Sequence, residues 1–372
     1  MIDRPAIIVV AYSARALESS AAHAGFAPLA IDVFRDDDTL EMSLASVKLD
    51  GGLSEGLTLD KVASAVETLI SAHHPIGLVY GSGFEHQPET IAAIARETRV
   101  FGNDMETLKR AKDPLSLAQI CEANGVRHPQ IAFDAPREPQ LWLTKKRGGA
   151  GGAHIAMALG ASSASPECYF QRRVAGKSVS ALFVASAKKV DIVGCSLQWT
   201  APTAASPFRY GGAVGPVEIG PAQASEIARS VQVVASELNL VGLNSVDFLV
   251  SDDAVWLIEI NPRPGATLDV FESNEDPLFG HHVAACEGRL MPTSRNLPFK
   301  AAEIVYAPCD IVIREGRNWP DWIADRPAPG TRIADGDPLC TALASGLTVD
   351  LARMCAGERA RKIVALVQEA DL

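Results

Sequence analysis

The sequence predicts an α/β front domain followed by an α+β body and a small β-rich extension. Three observations carry this. The first hundred residues alternate short apolar runs with helical periods, the pattern of βαβ units around a parallel sheet. From about residue 130 the strands follow one another across short turns, as antiparallel hairpins do. From about 297, short apolar strands alternate with Pro- and Gly-rich turns such as RPAPGTRIADGDP.

Residues 6–11, AIIVVA, read as a buried parallel strand. SARALESSAAHAG is a helix with Ser13 as N-cap and Gly25 as stop, and APLAID is the second strand. LTLDKVASAVETLISAHH, IGLVYG, PETIAAIARET and RVFG continue as helix, strand, helix and strand. Ligands bind at the carboxyl ends of such strands. Those tips are AYSARA, IDVFRDDDT and GSGFE. The first lacks GxGxxG, which argues against a dinucleotide site. The third offers Ser82, backbone donors and Glu85 to a small ligand, or forms a plain strand-to-helix turn.

Residues 105–127 read as one helix ending at Gly125, with Lys112 at a helix start. QIAFD, LWLTKK and AHIAMAL read as strands, the last after a Gly-rich turn. CYFQRRV, SVSALFVAS and VDIVGCSLQWT follow as strands, then the helix QASEIARSVQVVASELNL. NSVDFLVSDDAVWLIEIN is a hairpin turning at SDDA, and the chain closes with the helix CAGERARKIVALVQEA. Linker signals fall at 103–113 and 290–298.

The 372 residues are 47% hydrophobic, enough for two or three cores. Lys plus Arg number 34 against 45 Asp plus Glu, a formal charge of −11. So acidic a chain is not expected to bind nucleic acid or an anionic membrane. No apolar run reaches the roughly 20 residues of a membrane span. The start, MIDRPAIIVVAYSARAL, reads as a first strand and not as a signal peptide. The seven cysteines are odd in number, scattered and without CxxC, so reduced packing cysteines of a cytoplasmic protein are expected.

The chemistry concentrates in two places. In VWLIEINPRPGA, residues 255–266, an apolar strand ends in Glu259 and Asn261, which alternation puts on one face. The SDDA turn makes the pairing antiparallel and can set Asp247 opposite Glu259. Three oxygen ligands on one face suit Mg²⁺, and carboxylates inside apolar runs are costly unless paired or metal-bound. Arg263, held between Pro262 and Pro264, can steady developing negative charge. The second place is LTKKRGGAGGAHI. A strand ending in Lys145, Lys146 and Arg147 meets Gly148, Gly149, Gly151 and Gly152, whose N–H groups can cradle phosphate. It is not a Walker A loop.

Together AKDP, LTKKRGGAGGAHI, FQRRVAGKSVS, VDFLV and IEINPRPG resemble the ATP-grasp superfamily of carboxylate–amine ligases over roughly residues 1–290. The resemblance implies a Rossmann-like front domain (1–104), two ATP-grasp subdomains (105–174 and 175–295) and a small C-terminal domain (296–372). It implies that Lys112 and Lys145 touch the phosphates of ATP, with Lys146 the alternative to Lys145. The hinge, from Gln171 through Arg173 to Val174, would meet adenine. Asp247, Glu259 and Asn261 would hold two magnesium ions, and Arg263 would steady an acyl phosphate. The hinge departs from the acidic pair of many relatives, since Gln171-Arg172-Arg173 stands there. Substrate candidates are Ser82, Glu85, Arg209, Tyr210, Gly211 and Gly212, with a small carboxylate and an amine as partners and a homodimer left open.

ARALESSAAHAGFAPLAIDVFRDDDT, YGSGFE and FRYGGAVGP further resemble the ATP-grasp proteins of methanofuran- and methanopterin-linked one-carbon metabolism. That resemblance implies glutamate joined to tyrosine or tyramine. The rival expectations are a phosphotransferase and a non-catalytic ATP-binding sensor.

Overall fold

The computed structural model describes residues 4–51, 56–159, 165–293, 296–316 and 318–370. Residues 294 and 295, inside the expected 290–298 linker and at the expected boundary near 295, lie outside them. β1 (Ala6–Val10), β2 (Ala27–Asp32), β3 (Ala45–Lys48), β4 (Leu78–Tyr80) and β5 (Val100–Phe101) form a parallel sheet in the order β3-β2-β1-β4-β5. Ile7 and Val9 of β1 face one core while Ile8 and Val10 face another, so a continuous apolar run is what this strand needs. The chain crosses over at β1, which opens a crevice at the ends of β1 and β4. Helix Asp37–Met42 and edge strand β3 were not expected from the sequence. ASVK is half-exposed or exposed at every position and carries no apolar run to betray a strand.

The helix expected over 105–127 is two helices, Met105–Lys112 and Pro114–Ala123. Pro114 has no N–H and fits the first helical position, while Asp113 accepts the Ser116 N–H at 3.0 Å as N-cap. Lys112 therefore ends a helix and does not begin one. β6 (Ile131–Ala132), β7 (Trp142–Lys146), β8 (Ala156–Met157) and β9 (Cys168–Arg172) form a small sheet, β6-β9-β7-β8. Within AHIAMAL only Ala156 and Met157, as β8, pair as strand.

The large antiparallel sheet contains β10 (Lys177–Ser186), β11 (Lys189–Thr200), β12 (Tyr210–Gly215), β13 (Gly242–Val250), β14 (Val255–Asn261) and β15 (Phe299–Tyr306). The tail adds β16 (Ile311–Val312), β17 (Ile323–Ala324), β18 (Arg332–Ile333) and β19 (Pro338–Gly346). The sheet order is β14-β13-β10-β11-β12-β15-β19-β17, so the tail's long strands continue the sheet that carries the hairpin. Helix Pro221–Leu238 buries Ile227, Val231, Val234 and Leu238 on one face of it. The closing helix begins at Val349, before the expected Cys355, and packs on β15 and β19. Cys121 and Cys340 are buried. Among the described residues no helix is long and apolar enough to cross a membrane.

Helix Arg15–His23 carries an unusual group in its buried face. Glu18 is fully buried, and neither carboxyl oxygen has a hydrogen-bond partner. Burial, then the charges of Asp32 and Asp38, push it up to about 9. Between the ordinary carboxylate value and about 9, the fold holds a proton that the unfolded chain has released. Raising the pH through that window therefore lowers stability. Glu18→Gln mimics the neutral acid. Its melting temperature is expected to fall less than wild type between pH 5 and 9, as followed by circular dichroism. Parallel curves would contradict this account of Glu18.

Candidate active site

The hairpin of β13 and β14 sets the first part of the site. Asp247 stands opposite Glu259 and Ser245 opposite Asn261, with the register shifting just beyond Asp247. Asp247, Glu259 and Asn261 thus share one face. Asn261 Nδ2 donates to Asp247 Oδ2 at 3.0 Å, while Asp247 Oδ1 is buried with no partner. Burial, then the neighbouring Glu259 charge, raises the Asp247 carboxyl.

Two lysines converge on the same point. Lys112 Nζ donates to Glu259 Oε1 at 2.5 Å and to Asn261 Oδ1 at 3.1 Å. Lys145 Nζ lies 4.0 Å from Glu259 Oε2. Burial alone would raise the Glu259 carboxyl, but Lys112 and Lys145 outweigh it and hold it at about 2. Lys145 is 2% exposed and also donates to Gln171 Oε1 at 3.4 Å. Lys146, next along β7, points the other way, is half exposed and pairs with Glu167. Strand alternation separates the two, which a sequence of adjacent lysines cannot. Gln171 is buried and its Nε2 has no acceptor. At the hinge, the Arg173 N–H donates to the Leu141 carbonyl, so it is not free for an adenine edge. Val174, beside it, is half-buried.

The glycine loop closes over this point. Gly148 and Gly152 sit at positive φ, +66° and +73°. A Cβ on Gly148 would lie 2.5 Å from the Glu85 carbonyl oxygen, and one on Gly152 would lie 2.1 Å from that of Phe208. Glycine is needed there because backbone meets backbone. Gly149 N–H donates to Lys146 O, and Gly151 O accepts the Tyr210 N–H at 2.9 Å.

Arg263 is fixed from the front domain. Its Nε donates to Glu85 Oε1 at 2.8 Å, and its Nη2 lies 3.4 Å from Asn261 Oδ1. Glu85 also accepts the Gly83 N–H at 2.8 Å. Burial raises the Glu85 carboxyl, but Arg263 and Lys112 outweigh that and hold it below the usual range. Glu85, expected among the substrate contacts, is instead the buried partner of Arg263. Arg209 also differs from expectation. Its Nε and Nη1 donate to the Ala201 and Gly336 carbonyls and the guanidinium stacks 3.5 Å over Tyr306, which commits it to packing β12 against the tail. Gly211 and Gly212 pack β12 against Trp199.

Beside the site lies a cavity of about 750 Å³, between the ends of β1 and β4, the loop after β14 and the tail. Ser82 and Tyr210 line it, as does Gly151. The Tyr210 hydroxyl is buried without a partner, and burial raises its pKa. Two positioning residues escaped the sequence reading. Asn103 donates to the Asn244 side chain and to the Pro262 carbonyl, both at 2.8 Å, and accepts the Val241 N–H. It ties the end of β5 to the segment carrying Arg263, and its only sequence signal is an amide just after an apolar strand. Arg15 joins Asp269 and Asp325, 254 and 310 residues away in sequence, and no local pattern marks it.

Residues 111–267 match the family model of the ATP-grasp domain. The chain resembles biotin carboxylase from Campylobacter jejuni at a TM-score of 0.71 and 13% identity, covering 93% of this chain and 88% of that one. N5-carboxyaminoimidazole synthetase from Staphylococcus aureus, solved with ADP, gives 0.68 and 13%, covering 96% and 97%. L-amino acid ligase from Bacillus licheniformis gives 0.68 and 14%, covering 96% and 97%. No curated protein sequence matches. The fold is therefore the ATP-grasp fold, with a parallel front sheet, antiparallel grasp sheets and a β-rich C-terminal part.

Removing one member of a buried ion pair strands the other charge, at about 3 kcal/mol or more. Glu85→Gln is expected to lower urea-unfolding stability by about that amount, because Arg263 loses its anion. A change within the error of the wild-type value would mean that the pair does not hold Arg263.

Proposed function

We propose that this ATP-grasp chain is an ADP-forming carboxylate–amine ligase working through an acyl phosphate. The observation that carries the reading is the meeting of Glu259, Asn261, the unpartnered Asp247 Oδ1, Lys112, Lys145 and Arg263 at one point. Among the described residues no group of three His, Cys, Asp or Glu gathers as a closed metal cage. Two carboxylates and an amide oxygen are the donors expected of a magnesium site that leaves positions for phosphate oxygens and water. Asp247, Glu259 and Asn261 would hold magnesium, which when bound neutralises charge on the phosphates of ATP.

The chain's own residues supply positioning and charge. Lys145, held inward by β7, contacts phosphate, and Lys146 stays with Glu167. Lys112 moves from Glu259 to the phosphates as the nucleotide arrives. A substrate carboxylate oxygen attacks the terminal phosphorus, giving acyl phosphate and ADP. An amine then attacks the acyl carbon, the amide forms, and phosphate leaves with a proton released. Arg263, clamped by Glu85, faces the developing negative charge on the acyl carbon's oxygen and on the departing phosphate. Gln171, whose Nε2 is unpartnered, would serve the adenine side.

Glutamate with tyrosine or tyramine is the first pair to test. Amine-dependent ADP release with a condensed product of the summed mass less water is the expected result. ADP release with no condensed product from any tested pair would replace this reading by a phosphotransferase. Glu259→Gln is expected to lower turnover at least a hundredfold with an unchanged circular dichroism spectrum. Lys145→Met is expected to raise the KM for ATP tenfold or more, and Lys146→Met less than threefold. The reverse order of the two lysine variants would overturn the assignment.

A further inference from the structure

The front-domain end of the cavity is crowded with acid. Asp36, Asp269 and Asp325 line it, and Asp32 and Asp38 stand close enough to act on them electrostatically. Arg15 is the buried cation lining it, and four of its N–H donors reach only Asp269 and Asp325. The other lining cations, Lys48 and Arg332, are exposed, as are the lining acids Asp50 and Asp337. Asp32 accepts the Ala14 and Arg35 N–H groups, and Asp38 those of Asp325 and Arg326. Asp32, Asp38, Asp269 and Asp325 are thus all satisfied within the protein.

The exception is Asp36. It is 5% exposed, lines the cavity, and has no side-chain hydrogen bond or ion pair among the described residues. It stands at the N-cap of helix Asp37–Met42, yet makes no side-chain capping bond. The ordinary structural role of an aspartate there is therefore not being performed. A buried carboxyl without a partner is unfavourable and needs another account. Burial, then Asp325, Asp32 and Asp38, push it up to about 9 against the pull of Arg15. An incoming cation would relieve what these neighbours impose.

We infer that this end of the cavity is a cation subsite that takes an ammonium group carried on an apolar body, with Asp36 as its acceptor. The walls there are Tyr12, Leu17, Phe34 and Leu49, which suit an apolar body. The other end of the cavity reaches Gly151, Tyr210 and Gly265, beside Arg263. A ligand lying along it would present its far end to the reacting centre. Calling that ligand a substrate rests on the ligase reading, whereas the subsite does not.

Calorimetric titration of the full chain without nucleotide tests the subsite. Phenethylamine, 2-phenylethanol and phenylacetate are matched probes of positive, zero and negative charge. The amine is expected to bind at least tenfold tighter than the alcohol, with the acid weaker than both. Asp36→Asn is expected to remove the amine's advantage and leave the alcohol unchanged. Equal affinity of amine and alcohol for wild type would overturn the subsite, whether or not the variant folds. A preference that survives Asp36→Asn would overturn the role of Asp36. A protein that shows the preference but forms no amide with any amine would sink the ligase reading and leave the subsite standing.

Discussion

The site depends on one carboxylate held by two ammonium groups. Glu259 belongs to the hairpin, Lys112 to the end of a short helix and Lys145 to the small sheet. Their meeting joins three elements that do not otherwise share a sheet. Burial works against an ionised Glu259, and the paired lysines are the main groups that keep it charged. The same lysines lose their best partner if Glu259 engages a metal, which makes them available to phosphate at the moment phosphate needs them. A cluster satisfied within the protein and exchangeable for metal and nucleotide is an economical way to keep buried charges paired in both states.

A second layer of constraints holds the cluster in place from the front domain. Glu85 clamps Arg263, and Asn103 fixes the Pro262 carbonyl beside it. Both come from loops at the carboxyl ends of the parallel strands β4 and β5. The tail adds a wall, because β15 and β19 extend the hairpin's own sheet and Asp325 reaches back to Arg15 and Ser13. Front domain, tail and the loop after the hairpin therefore enclose one cavity, acidic at its front-domain end and reaching Gly265 beside Arg263 at the other.

Much of this was legible in the sequence, and the limits have physical causes. Alternation and a four-residue turn gave the shared face of Asp247, Glu259 and Asn261, because both rules are local. Alternation could not choose between Lys145 and Lys146, since which face is inward is a tertiary fact. The helix break at Asp113-Pro114 has a local signal, an N-cap followed by a proline, but the helical period runs across it and masks it. β3 was missed because an edge strand half open to water carries no apolar run. The partners of Arg263, Arg15 and Arg209 lie far away in sequence, and spacing carries no information about them. Glu85 and Arg209 are polar residues near glycine, a pattern shared by ligand contacts and by residues committed, as these are, to a structural partner.

The central claim is that Glu259 and Asn261 give up their lysine contacts, and the unpartnered Asp247 Oδ1 gains a partner, when a metal arrives with nucleotide. Titrating ADP into the protein by calorimetry, with and without magnesium, tests it most directly. The account predicts that magnesium tightens ADP binding at least tenfold in wild type and leaves it unchanged in Asp247→Asn/Glu259→Gln. Equal ADP affinity with and without magnesium in the wild-type protein would contradict it.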